Sequence, residues 1–122
     1  MSLFRRDRGR AAEDAAARHL ERRRHVILAR NFRSRAGEID LVTRDRETIV
    51  FVEVRSRGGR GFGSGSESVD ARKQRRLARV AEAYLAVHRL GESRARFDVI
   101  SIDWIDGAPK IEHIEDAFQT SD

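Results

Sequence analysis

Two apolar runs separated by four polar residues constrain this chain more than any other feature. GEIDLVT (37–43) and TIVFVEVR (48–55) both read as strands, and RDRE (44–47) between them makes a hairpin. With 44–47 as the turn, Thr43 opposes Thr48, Leu41 opposes Val50, Asp40 opposes Phe51 and Glu38 opposes Glu53. Opposed residues project from one face of a sheet. Glu38, Asp40, Glu53 and Arg55 therefore share a face, and Val50, Val52 and Val54 fill the other with Ile39 and Leu41. Asp40 and Glu53 become diagonal neighbours, roughly 7 Å apart at Cβ or less. A slip of one residue separates them, so the pairing depends on register.

The rest of the chain supplies helices to cover such a sheet. RAAEDAAARHLERRR (10–24) is Ala-rich without Gly or Pro and reads as a helix, with HVILA (25–29) a short strand after it. Residues 57–66 (RGGRGFGSGS) hold five of the nine glycines and read as a mobile loop. A second helix is predicted over 69–89, with Leu77, Val80, Ala81, Tyr84 and Leu85 on its apolar side. RFDVISIDW (96–104) is a further strand, and KIEHI (110–114) a last short one before a frayed tail. The predicted order is α-β-β-β-α-β-β, an α/β fold with a central mixed sheet flanked by helices. A chain of 122 residues holds one such domain, here 10–118, with a basic arm at 1–9 and a tail at 119–122.

Composition narrows the chemistry. There is no Cys, which excludes a disulfide framework, a zinc-thiolate site and a catalytic thiol. MSLFRRDRGR carries no apolar h-region, and no apolar run approaches the roughly 18 residues of a membrane span. The expectation is a soluble, cytoplasmic protein with no membrane partner. Charge is unevenly spread: residues 1–35 carry a net +7, residues 55–80 a net +6 and residues 97–122 a net −6. Two basic zones point to a polyanion, nucleic acid above all. Arg5, Arg6, Arg8 and Arg10 form the basic arm, expected to be disordered when free. Arg72, Arg75, Arg76 and Arg79 form a stripe on the second helix, a candidate phosphate-contacting surface whose bland alternative is a solvated charged face.

The carboxylates ask for a cation. IVFVEV is otherwise apolar, and two acids close together in such a setting are costly. A divalent cation between Asp40 and Glu53 removes the cost; oxygen ligands suit Mg²⁺, with Mn²⁺ as substitute, and phosphate oxygens complete the shell. The alternative is a charged network with Arg55 and other arginines. Glu13 lies within the stripe of Ala12, Ala16, Ala17 and Leu20, where a carboxylate is seldom placed without a partner. Lys73 falls beside Val80 and Tyr84, on the inward half of its helix, within reach of a site next to the sheet.

At GEIDLV (37–42), VFVEVRSR (50–57), KQRRL (73–77) and RFDVI (96–100), taken in order, the chain resembles the YraN family of small bacterial proteins. That family is placed by similarity with the restriction-endonuclease-like, or PD-(D/E)xK, nucleases, a fold shared with archaeal Holliday-junction resolvases and tRNA-splicing endonucleases. The resemblance runs from about residue 10 to about 118. It matches the superfamily's first-helix Glu to Glu13, its Asp to Asp40 and its E-x-K to Glu53, Val54 and Arg55. It implies that Asp40, Glu53 and the Val54 carbonyl hold Mg²⁺ and that the third residue orients or activates water. Arg55 departs from the Lys of that signature. Arg cannot be deprotonated and so cannot be a general base, though it can clamp a phosphate; Lys73 is the other source of an amine. The implied activity is a metal-dependent endonuclease on DNA or RNA, of branched or structured substrates, with a homodimer as one arrangement. The alternatives are a non-catalytic nucleic-acid-binding module and a protein-interaction role for the acidic tail.

Other features carry less. His19, His25, His88 and His113 show no HxxxH spacing and read as ordinary surface or core residues. GRGFGSGS (59–66) lacks the Gly-Lys-Ser/Thr of a nucleotide P-loop and reads as a flap beside nucleic acid, with Arg57 and Arg60 as contacts. Phe62 and Trp104 are candidates for base stacking, although a strand-end Trp more often packs.

Overall fold

The computed structural model describes residues 3–57 and 69–119. Among these, the order is α1 (Leu3–Arg22), β1 (Val26–Ser34), β2 (Gly37–Asp45), β3 (Thr48–Arg57), α2 (Ala71–Val87), β4 (Arg94–Ile105) and β5 (Ala108–Phe118). The expected α-β-β-β-α-β-β order and the α/β class hold. The strands form one mixed sheet in the order β1-β2-β3-β4-β5, parallel only between β3 and β4, where α2 makes the crossover.

Successive side chains of β3 alternate between two cores, as a two-sided strand requires. Val50 and Val52 pack with Leu41, Ile100 and Ile102 under Ala12, Ala15, Ala16, Ala17 and Leu20 of α1. Ile49 and Phe51 pack with Val42 and Val99 under Leu77, Val80, Ala81 and Tyr84 of α2. The small alanines let α1 lie close to the sheet, and Asp70 caps α2 by accepting from the Lys73 N–H at 2.8 Å. Gly37 opens β2 at φ +147°, where a Cβ would meet the stem of Arg76 at 3.3 Å.

Several boundaries differ from the expectation. The first helix starts at Leu3, so most of the basic arm continues it as helix. β5 runs on to Phe118 instead of ending at 114, because its outer residues pair with β4 as far as Phe97. The hairpin turn is two residues, Arg46 and Glu47, with Arg46 at φ +58°. Thr43 therefore opposes Val50 and Leu41 opposes Val52, two residues away from the expected register. A shift of two preserves the facing of the side chains along the paired stretch from Leu41 to Asp45. Continued one step past Leu41 and Val52, where the ladder ends, the same count sets Asp40 opposite Glu53 instead of diagonal to it.

Two assignments are overturned: Glu38 lines a cleft with Glu13 and Asp14 of α1 and so leaves the face of Glu53, which meets Lys73 of α2, and Ile39 leaves the face of Leu41. Ile39 belongs to the core under α2 and Leu41 to the core under α1, so the two do not share a face. Both β1 and β2 change phase between these positions. Phe32 pairs with Ile39 and Arg30 with Leu41, and the intervening Asn31 has a left-handed φ of +55°.

Candidate metal centre and nucleic-acid interface

The β2–β3 ladder ends at Leu41 and Val52. Beyond it the Val54 N–H, turned toward β2, donates instead to Asp40 Oδ2 at 2.8 Å. A carboxylate thus replaces a missing backbone acceptor, as a buried N–H demands. In an extended strand the N–H and C=O of one residue point to the same side. The Val54 carbonyl therefore faces the same gap as the Asp40 side chain.

Glu53, adjacent on β3, is the charged neighbour that acts most strongly on the Asp40 carboxyl. Burial pushes the Asp40 carboxyl up to about 8, and the charge of Glu53 adds to it; Glu13 contributes a smaller push, while the Val54 N–H opposes. A buried carboxyl raised in this way beside a second acid is an oxygen donor set from which a hard divalent cation can displace a proton.

Cations line the other side of Glu53. The Lys73 ammonium, fixed in the first turn of α2, pairs directly with Glu53 Oε2, and Arg55 Nη2 lies 3.8 Å from the same oxygen. Lys73 thus arrives at the site from the helix while Arg55 arrives from the strand. Glu13 sits apart from the pair. Its Oε1 accepts from Asn31 Nδ2 at 3.0 Å and lies 3.9 Å from Arg30, which itself bonds Asp14 at 2.6 Å. Among the described residues no three His, Asp or Glu side chains converge on one metal position. An open cleft of about 640 Å³ adjoins Glu13 between α1 and the β1–β2 hairpin, with Arg10, Arg30 and Arg33 along it.

Arg72, Arg75, Arg76 and Arg79 lie exposed along α2, starting one residue from Lys73. Arg57 closes β3, and Arg60 and Phe62 lie outside the described residues with the glycine-rich loop. Trp104 donates from Nε1 to Ser56 Oγ at 3.0 Å and packs on the core under α1, which accounts for it structurally.

Residues 12–102 match the family model described as "Uncharacterised protein family UPF0102". The chain belongs to this family, UPF0102 or YraN. It is 47% identical to the UPF0102 protein of Geobacter metallireducens over 98% of both chains. It is 46% identical to a UPF0102 protein of Pseudomonas aeruginosa over 93% of both, and 46% identical to one of Frankia casuarinae over 90% of this chain and 94% of that one. No helix of this UPF0102 chain, among the described residues, is long and apolar enough to cross a membrane.

Sequence reasoning missed two groups in this UPF0102 fold. Asn31 gave one local signal, a residue type that tolerates left-handed backbone in the middle of a strand. His19, His25 and His113 gave none, yet they gather. Asp98 accepts from His113 Nε2 at 2.8 Å, and His113 Nδ1 meets His19 Nε2 at 3.0 Å. His25 bonds Thr43 at 2.8 Å, and Arg96 bridges Asp98 and Asp45.

Proposed function

We infer that this protein is a metal-dependent phosphodiesterase that cuts nucleic acid, DNA or RNA, through a Mg²⁺ or Mn²⁺ ion held by Asp40, Glu53 and the Val54 carbonyl. The observation that carries this reading is the acid pair itself. Asp40 and Glu53 face each other at the end of a ladder, and Asp40 is driven to about 8 by burial and by its neighbour. The donors are all oxygen, as a hard cation requires. When bound, the ion polarises a phosphoryl oxygen and lowers the pKa of a coordinated water.

The chain's own residues supply the rest. Lys73 and Arg55 place two positive charges beside Glu53, where a phosphate approaching the ion would meet them. Arg55 stays charged and acts as a clamp; the Lys73 amine is the group able to exchange a proton. Glu13 adds negative potential beside the pair and an acceptor for an ordered water. The exposed arginines of α2 carry the flanking phosphates.

The test is a panel of labelled branched, flapped, single-stranded and duplex substrates with Mg²⁺ or Mn²⁺. Cleavage should require the ion and vanish in Asp40→Ala. Intact substrate throughout, with binding retained in Asp40→Ala and weakened by salt, supports the second reading, a non-catalytic nucleic-acid-binding module. That reading draws on the direct contact between Lys73 and Glu53, which already neutralises one of the two acids.

A further inference from the structure

The geometry points to Asn31 as the positioning residue of the acid pair: its left-handed backbone turns Asp40 toward Glu53, and its amide holds Glu13 at the site's edge. The inference rests on the reading of that pair as a metal site.

Two independent features meet at this residue. The first is backbone. In a regular strand consecutive residues point to opposite faces. Arg30 and Asn31 instead both reach α1, through Asp14 and Glu13, while Ala29 and Phe32 both join the core under α2. The residue between the two pairs that flank it is Asp40, since Arg30 pairs with Leu41 and Phe32 with Ile39. The partner strand changes phase at the same place, with Ile39 under α2 and Leu41 under α1. The φ of +55° at Asn31 is the local cause on β1. Most other non-glycine residues with positive φ lie at turns or helix ends; inside a strand only Asp116 shares the feature among the described residues, and its N–H serves Asp98.

The second feature is the side chain. Asn31 Nδ2 donates to Glu13 Oε1 at 3.0 Å, the shortest contact recorded for that carboxylate. Without it Glu13 is left to Arg30, whose closer partner is Asp14. A residue that works through Asp40 and Glu13 does not itself touch the ion, and changing it resembles changing an outer hydrogen-bond partner of a metal ligand.

Substitutions separate the two features. Asn31→Gly keeps left-handed backbone accessible and deletes the amide. Asn31→Ala deletes the amide and also opposes the backbone. Mn²⁺ titration of each full-length protein, read from the paramagnetic resonance of the free ion, should give about 10- to 100-fold weaker binding for Asn31→Ala and a smaller loss for Asn31→Gly. In the metal-free protein, the Val54 amide resonance reports the Asp40 hydrogen bond directly. It should shift and exchange faster in Asn31→Ala and stay in place in Asn31→Gly. Equal Mn²⁺ affinities, or an unmoved Val54 amide in Asn31→Ala, overturn the positioning role. A wild-type protein that binds no Mn²⁺ overturns the metal reading instead, and the Val54 amide still decides the role of Asn31.

Discussion

Asp40 and Asp98 are the same residue type set in the same sheet, and their surroundings drive them in opposite directions. Asp98 is fully buried, and burial alone would push its carboxyl up. Hydrogen bonds from His113, Arg96 and the Asp116 N–H outweigh burial and hold it below its ordinary value. Asp40 receives one backbone N–H and faces another acid, so burial wins. The Asp98 network is closed on itself, from Thr43 and His25 through Asp45 and Arg96 to His113 and His19. The Asp40 site lacks such a set of donors and keeps the electrostatic cost of a second acid beside it. Under the proposed function, that difference separates an acid kept for structure from an acid kept for chemistry.

The largest effect should come from breaking the satisfied region. Asp98→Ala removes the buried acceptor shared by Arg96 and His113, leaving Arg96 with Asp45 and His113 with His19, and urea denaturation should register a loss of about 3–5 kcal/mol. A loss under about 1 kcal/mol would erase the contrast.

Asp40→Asn should do the reverse. A carboxyl raised in the folded state stabilises fully below its unfolded value, near 3.8, and that contribution is lost as pH rises through about 8. The metal-free wild type should therefore fall behind Asp40→Asn as pH rises, by about 2–4 kcal/mol at pH 9, and match it near pH 4. Urea midpoints across that range check the sign; a variant weaker than wild type at pH 9 would refute it.

His19 gives a smaller effect on the acid side. Burial lowers its imidazole from 6.5 to about 4, with His113 and Arg23 adding to the shift. Its contribution is present above 6.5 and lost as pH falls through about 4. His19→Asn should flatten the stability profile over that window by about 1 kcal/mol, an amount reduced because the ring is partly exposed. An unchanged slope would detach His19 from the network.

The arginine stripe should move stability least. Arg75→Ala and Arg79→Ala are expected to stay within about 0.5 kcal/mol of wild type. Each should lower the salt dependence of nucleic-acid binding by roughly one ion. Equal salt slopes would leave the stripe a solvated face.

The legible parts were those fixed by local pattern. The alternation in TIVFVEVR and the stripe of Leu77, Val80, Ala81 and Tyr84 set β3 and α2 in advance. Parity brought Asp40 to the side of Glu53 despite a register error of two residues, but the same parity failed one residue further on, at Ile39. The register itself was hidden because the turn at Arg46 and Glu47 carries none of the Asn-Gly or Asp-Gly chemistry that marks two-residue hairpins. The phase change at Asn31 was hidden because it needs a partner strand to become visible. The histidines were unreadable because residues 19, 25 and 113 meet only through the sheet, with no sequence spacing to announce them.

The central claim is that the buried, raised Asp40 carboxyl beside Glu53 marks the place of a divalent cation. Calorimetric titration of Mg²⁺ into the protein at pH 7, repeated in buffers of different ionisation enthalpy, counts the protons released on binding. A carboxyl at about 8 predicts binding with release of close to one proton per ion, abolished in Asp40→Asn. Binding without proton release, or equal binding by Asp40→Asn, would contradict it.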